Sequence, residues 1–393
     1  MAGANLLRRA AAIGEEGGPE RAHALYDLGD ALVWSGQVRD AEGTFGEAAE
    51  AASVAGDPSL ERLARIRRFA TKFMTDPHGA PTEEARAELE EAARAFEELG
   101  DESALAVVWS ELAQIEWMPC RYERAEVAAR RAIEHARRSG DDRLLTAPLA
   151  LLLGAQMLGT TRPEQGVATL DDLATDLARS RQMQAFALVF RGYHRGMQGA
   201  FSDARLMYGE AIAMSEALGL RFDLSAHNEE LGHLEYYAGD PVASERAFRK
   251  NYDILDEAGD EGHKSTAAAS LALALCDLER YDEAETYAEM AVRIGAEDDL
   301  ATQSPGRSAR ARVLAARGEF DEAERLAREA VELFADAETP NFHGDAWMHL
   351  AKVLRLAGKP DDAERAAREA FALYEGKGNE PGAALAQAFV DEV

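Results

Sequence analysis

The sequence predicts an all-α protein, a right-handed superhelical solenoid of about nine helical hairpins. Three observations support this prediction. A motif of small, apolar and aromatic residues recurs about every 40 residues along the chain. Gly-Asp pairs, which end one helix and begin the next, separate many of the recurring segments. No sustained alternation of apolar and polar residues, the pattern of a half-buried strand, occurs in the sequence.

Each recurring segment has a small residue at the centre of an apolar helix. A turn, often with glycine, follows seven residues later. An alanine, an aromatic residue or alanine, and a further alanine follow at intervals of five, four and three residues. In the first unit these positions are Gly29, Gly36, Ala41, Phe45 and Ala48. Because the last three share one face of a helix, the motif predicts that this second helix packs closely against the small residue of the first.

The small residues also define the period. In the second half of the chain they are separated by 40, 40, 39 and 40 residues, at Gly192, Gly232, Ala272, Ala311 and Ala351. In the first half the intervals are 42, 42 and 41 residues, at Gly29, Thr71, Ala113 and Gly154. This period predicts a leading helix at residues 1–19, a repeat array at 20–378 and a capping helix at 379–393.

This order of residues resembles the tetratricopeptide repeat, a pair of helices that is lengthened here from 34 to about 40 residues. HEAT repeats share the longer period and are the alternative. The small residue followed by alanine, an aromatic residue and alanine favours the tetratricopeptide repeat. Because each unit of such an array contacts mainly its neighbours, we expect unfolding to involve more than two states.

Longer blocks of sequence carry a second resemblance, at residues 4–10, 117–141, 239–260, 296–333 and 350–379. They resemble the C-terminal repeat region of actinobacterial signalling proteins. In those proteins a STAND-type ATPase of the AAA class is fused to a class III adenylate or guanylate cyclase, or to a transcription regulator. The resemblance implies a regulatory arm that receives an inducer or a partner. It also implies that the catalytic and ATP-binding parts lie outside this chain.

Composition limits the classes of partner. The 43 Lys and Arg residues against 72 Asp and Glu residues give a net charge of −29, which repels nucleic acid and anionic membrane surfaces. The longest mostly apolar stretch, residues 144–155, is too short to span a membrane, and we identify no signal peptide. Two distant cysteines, Cys120 and Cys276, fit a reducing compartment. We therefore expect a cytoplasmic protein.

The sequence offers little catalytic chemistry. It lacks the phosphate-loop, dinucleotide-binding, serine-nucleophile and HExxH metalloprotease motifs. His227 and His233 lie six residues apart on a predicted helix, so their directions differ by roughly 120° and they do not easily share a metal. We predict no catalytic residues, no cofactor and no metal site. An enzyme with an unrecognised site remains an alternative.

The concave face is the predicted binding groove. In tetratricopeptide arrays the first helix of each unit lines this face, at positions three or six residues before the small residue and one or four residues after it. The candidates from these positions are Gln114, Trp117, Tyr193, Glu229, His233, Tyr236, Arg312, Lys352 and Arg355. The same register offers Arg65, Arg68 and Lys72 in the second unit.

Two groups of candidates suggest how a partner is held. Aromatic side chains with polar tips are typical of interface hot spots, and basic side chains can hold a carboxylate or an acidic peptide. The alternative is that these side chains are solvated or pack within the array. The expected partner is a protein, a peptide or a small-molecule inducer. A homo-oligomeric scaffold without a ligand is the competing function.

Overall fold

The computed structural model describes residues 2–15, 18–76, 78 and 82–392, and these residues form helices and turns without a strand. Nine hairpins follow one another in this part of the chain. Their first helices are α2 (Pro19–Trp34), α4 (Pro58–Thr75), α6 (Glu102–Ile115), α8 (Thr146–Leu158), α11 (Arg181–Met197), α13 (Arg221–Tyr237), α15 (Glu261–Asp277), α17 (Leu300–Ala316) and α19 (Pro340–Leu356).

The second helices of the hairpins return antiparallel to the first. They are α3 (Val38–Ala55), α5 (Thr82–Leu99), α7 (Tyr122–Ser139), α9 (Pro163–Asp172), α12 (Phe201–Leu218), α14 (Pro241–Ala258), α16 (Tyr281–Ile294), α18 (Phe320–Glu332) and α20 (Pro360–Lys377). The other helices are α1 (Ala2–Ile13), α10 (Ala174–Leu177) and α21 (Glu380–Glu392). No helix in the described ranges is both long enough and apolar enough to cross a membrane. The division into leading helix, array and cap stays a prediction.

Glycine and aspartate form the junctions between hairpins. Gly56 ends α3 in the left-handed conformation, with φ of 73°, which costs glycine little. Asp57 then accepts a hydrogen bond from the Leu60 amide at 3.0 Å and so caps α4. Gly259 and Asp260 repeat this arrangement before α15. The junction pattern in the sequence therefore corresponds to real helix ends.

In the first and sixth hairpins the small residue lies against the aromatic residue of its partner helix. A Cβ atom on Gly29 would lie 2.5 Å from the Phe45 ring, and one on Gly232 would lie 2.4 Å from the Phe248 ring. Phe45 is fully buried. The predicted contact between the two helices of a hairpin is thus present in both halves of the chain.

This contact gives a first prediction. Gly232→Ala should lower the free energy of unfolding by about 1–3 kcal/mol, because the new methyl group overlaps the Phe248 ring. Gly209→Ala is the matched control, since Gly209 lies within α12 with no heavy atom within 4 Å of an added Cβ. Alanine at this position should raise the free energy of unfolding by at most about 1 kcal/mol, because its helix propensity is higher than that of glycine. Urea denaturation of both variants measures the difference. Equal effects would show that the repeat register is wrong.

Successive superhelical turns contact each other, which the sequence analysis did not anticipate. The Trp34 ring of the first hairpin packs edge-on against Phe222 of the sixth, with centroids 6.0 Å apart. Helix α4 of the second hairpin contacts α15 of the seventh. The Leu300 amide of the eighth donates to the Met118 carbonyl of the third at 2.9 Å. Each of these contacts joins hairpins that are five apart, so the array is not held together by neighbouring units alone.

Lys377 joins the ninth hairpin to the fourth. Its side chain is buried, and its ammonium donates to the carbonyls of Gln156, Gly159 and Thr161 at 2.9, 2.5 and 2.7 Å. These carbonyls lie at and just beyond the C-terminal end of α8, where helix carbonyls lack partners within the helix. Burial lowers the pKa of Lys377 to about 7. The interaction caps α8 with a residue from the next superhelical turn.

Candidate functional site

The inner face of the first superhelical turn borders a cavity of about 750 Å³, which we call the first-turn cavity. Helices α2, α4, α6 and α8 and the start of α11 form most of its wall. Phe222 and His263, from α13 and α15 of the next turn, contribute the rest together with the end of α12 and the segments just before α8 and α11. Its volume lies in the range of small-molecule and cofactor sites.

The regular spacing of side chains on the first helices builds this wall. Residues three or four positions apart share one face of a helix, and the lining residues follow that spacing. Those on the first three of these helices include Tyr26, Asp30, Val33, Arg67, Thr71, Met74, Val107, Ser110, Glu111 and Gln114. The wall therefore combines apolar surface with a small number of charged groups.

Three charged groups meet on the wall formed by α2, α4 and α6. The Arg67 guanidinium donates to Asp30 Oδ1 at 2.7 Å and to Glu111 Oε1 at 2.5 Å. Burial disfavours the cation, but the two carboxylates outweigh burial and raise the pKa of Arg67 above its usual range. Burial, together with the charge of Asp30, raises the pKa of the Tyr26 hydroxyl. Two carboxylates against one guanidinium leave this wall with one excess negative charge.

Three further arginines line the cavity. Arg143 pairs with Asp141 at 2.7 Å, and Arg179 pairs with Asp142 at 2.8 Å. Arg181 is exposed at the start of α11 and makes no ion pair with any described residue. Within the described chain, Arg143 and Arg179 are thus neutralised locally, whereas Arg181 is not.

The predicted groove residues fall at several places. Gln114 lines the first-turn cavity. Trp117 is partly buried against Gly154, where an added Cβ would lie 2.5 Å from the indole ring. The Tyr193 hydroxyl donates to a carbonyl of α8 at 2.5 Å and accepts from Asn341 at 2.9 Å. Trp117 and Tyr193 therefore have packing or hydrogen-bonding partners inside the array.

Glu229, His233 and Tyr236 come together around a second, small cavity of about 50 Å³. Glu229 accepts hydrogen bonds from Ser270 and Asn251, both at 2.6 Å. His233 Nε2 lies 3.4 Å from Glu229 Oε1. Burial disfavours the imidazolium, but the carboxylate outweighs burial and raises the pKa of His233. A cavity of this size suits ordered water rather than a peptide.

The predicted basic residues have acidic partners within the chain. Asp277 forms ion pairs with Arg312 at 2.7 Å and with Lys352 at 3.2 Å. Burial alone would raise the pKa of Asp277, but the two cations hold it well below its usual range. Arg355 lies apart from them, with its guanidinium 4.2 Å from the Phe389 ring centroid of α21. A partner-binding role for these residues stays a prediction.

The sequence register missed the charged wall in the second hairpin. It placed Arg65 and Arg68 on the inner face, yet the Arg65 side chain is 71% exposed and Arg67 lines the cavity instead. The error comes from choosing Thr71 as the small residue. With Ala70 in that role, Arg67 lies three residues before it and Thr71 one residue after it, in the inward positions.

The described residues hold no group of three or more His, Cys, Asp or Glu side chains that could bind a metal ion.

Comparison with known families identifies the repeats. Residues 265–297 and 304–376 match models of the tetratricopeptide repeat. These segments are tetratricopeptide repeats. They cover most of the seventh, eighth and ninth hairpins, so the resemblance predicted from the sequence is confirmed there. No curated protein matches the sequence closely enough to extend the comparison.

Two solved structures are similar to the whole tetratricopeptide-like solenoid. A Rap protein in complex with competence and sporulation factor superposes with a TM-score of 0.64 at 12% identity, covering 92% of this chain and 99% of the other. The Cut9–Hcn1 hetero-tetramer of APC/C superposes with a TM-score of 0.61 at 14% identity, covering 99% and 79%. At these identities the similarity concerns the fold. It confirms the predicted all-α solenoid.

Proposed function

We propose that this protein is a non-catalytic recognition module that binds a short peptide segment of a partner in the first-turn cavity. The observation that carries the proposal is the cavity itself, about 750 Å³ in volume, with apolar surface and a few charged groups on its wall. Tetratricopeptide arrays support recognition or scaffolding roles. Both similar solved structures are complexes, one with competence and sporulation factor and one of Cut9 with Hcn1.

The proposed biological setting is regulatory. The sequence blocks that resemble STAND-type ATPases fused to cyclases or transcription regulators support a role as the sensor arm of such a protein in the cytoplasm. The shape of the cavity supports the same role, because its wall includes residues of two successive turns. A bound ligand would contact both turns and favour the arrangement in which they touch.

A ligand screen tests this function. Thermal unfolding of the full chain is followed with a panel of short peptides and metabolites, with light scattering on the same samples. We expect at least one peptide to stabilise the protein saturably, by about 2.7 kcal/mol at 100 times its Kd. A metabolite that stabilises it instead would favour a small-molecule inducer. A mass that rises with protein concentration, without any ligand effect, would contradict the proposal and favour a scaffold.

The regulatory setting has its own test. An ATPase or cyclase encoded upstream in the same reading frame would support it, and an unrelated neighbour would contradict it without affecting peptide recognition.

A further inference from the structure

The charged wall of the first-turn cavity indicates which peptides fit. Arg67 donates to only one oxygen of each carboxylate, Oδ1 of Asp30 and Oε1 of Glu111. Among the described residues, Asp30 Oδ2 and Glu111 Oε2 accept no hydrogen bond. Both residues line the cavity. A carboxylate can accept several hydrogen bonds, so each retains the capacity to bind a donor from a ligand.

Apolar surface borders the same carboxylates. Val33, Trp34 and Met74 lie on α2 and α4 within the cavity wall, and Phe222 of the next turn packs edge-on against Trp34. A ligand that reaches Asp30 and Glu111 therefore also meets aromatic and aliphatic side chains. Aromatic faces and flexible methionine are typical of surfaces that hold apolar peptide side chains.

The net charge of the whole molecule also favours a cationic ligand. A net charge of −29 attracts cations from solution and repels anions. The predicted basic groove does not counter this, because Arg312 and Lys352 both pair with Asp277.

Three further arginines that line the cavity oppose a cationic ligand. Arg143 and Arg179 are paired with Asp141 and Asp142, whereas Arg181 has no ion partner among the described residues. Arg181 is therefore the main opposing charge. It is an exposed side chain on a different helix from the carboxylates.

We infer that the first-turn cavity binds a peptide with a basic side chain next to bulky apolar residues, with the basic group donating to Asp30 Oδ2 or Glu111 Oε2, the oxygens that do not bond Arg67. This inference rests on the proposed function and names its ligand class. The inferred peptide is basic, whereas the basic groove residues predicted from the sequence favoured an acidic peptide.

Peptide pools test the inference on the full chain. Acetylated and amidated pentapeptides carry arginine, glutamine or glutamate at the centre, and mixtures of Leu, Phe, Ala and Gly elsewhere. Peptides that remain bound after gel filtration are identified by mass spectrometry. The arginine pool should dominate, and the affinity of its best member should fall as salt is added. Enrichment of the glutamate pool, or equal enrichment of all three pools, would overturn the inference but leave peptide recognition intact.

Variants then locate the basic group. Asp30→Asn and Glu111→Gln should each weaken binding of the best arginine peptide by about tenfold or more, since a charge-assisted hydrogen bond is lost. Glu50→Gln changes an exposed carboxylate on α3 and should leave the affinity within about twofold. Replacing the peptide arginine by glutamine should cost much less affinity in Asp30→Asn and in Glu111→Gln than in the wild type. This coupling distinguishes direct contact from a folding defect, and its absence in both variants would overturn the inference.

The outcomes separate the two proposals. If no pool binds, the proposed function itself fails. If peptides bind but both carboxylate variants bind the arginine peptide as tightly as the wild type, only the inference fails.

Discussion

Lys377→Met is expected to lower the free energy of unfolding by about 2–4 kcal/mol, measured by urea denaturation. The methionine fills nearly the same volume but removes three hydrogen bonds to the carbonyls of Gln156, Gly159 and Thr161. Those carbonyls then stay buried without a donor. The free energy lost in this way exceeds the free energy gained by removing a buried charge. The ninth hairpin should also separate from the fourth at a lower urea concentration than the rest of the array unfolds.

Lys250→Met is the control for this substitution. Lys250 is exposed on α14, so the same chemical change there should alter the free energy of unfolding by no more than about 0.5 kcal/mol. If the two variants were equally stable, the contact between the fourth and ninth hairpins would not hold the turns together.

Arg67→Met should destabilise the protein by about 3 kcal/mol or more, because it leaves Asp30 and Glu111 facing each other without their shared cation. Arg65→Met, on the same helix, is the matched control. The Arg65 side chain is 71% exposed and, among the described residues, pairs only with Glu61 one turn away, so we expect a loss of at most about 0.5 kcal/mol. Melting temperatures and urea midpoints measure both. A larger loss for Arg65→Met than for Arg67→Met would restore the register predicted from the sequence.

The hairpins could be predicted from the sequence because their determinants are local. A small residue such as Gly232, with Phe248 sixteen residues later, is enough to indicate two helices in close contact. Gly259 and Asp260 mark the following junction in the same way. These signals act within one or two hairpins, where sequence distance and spatial distance are closely related.

Contacts between successive turns could not be predicted in this way. They depend on small rotations between units that accumulate over five hairpins. No sequence motif indicates the total rotation. In the sequence, Lys377 is an ordinary basic residue near the end of a helix, where lysine is common. Only the superhelix places it on the end of α8.

The functional site was only partly predictable for the same reason. Gln114 lines the first-turn cavity, and its role in binding stays a prediction. Arg67 was missed because an error of one residue in the register turns a side chain through about 100° around the helix. The pairing of Arg312 and Lys352 with Asp277 was also hidden, because the three residues come from three different hairpins.

Successive turns touch and so complete the wall of the first-turn cavity. A cross-link between hairpins one and six tests it most directly. A Cβ atom on Gly36 would lie 3.4 Å from the Ala258 Cβ, close to the separation of about 3.5–4.5 Å in disulfides. Burial raises the pKa of the native thiols of Cys120 and Cys276 to about 12 and 11, so these do not compete.

Under mild oxidation, the variant with both Gly36→Cys and Ala258→Cys should form a disulfide within one molecule, seen by mass spectrometry of the peptides. Gly56→Cys with Ala258→Cys is the control. Gly56 has nearly the same left-handed conformation as Gly36, with φ of 73° against 77°, but no heavy atom lies within 4 Å of an added Cβ. Its thiols should stay free. Equal cross-linking in the two variants, or none in either, would contradict the contact between turns and with it the wall that the two turns share in the first-turn cavity.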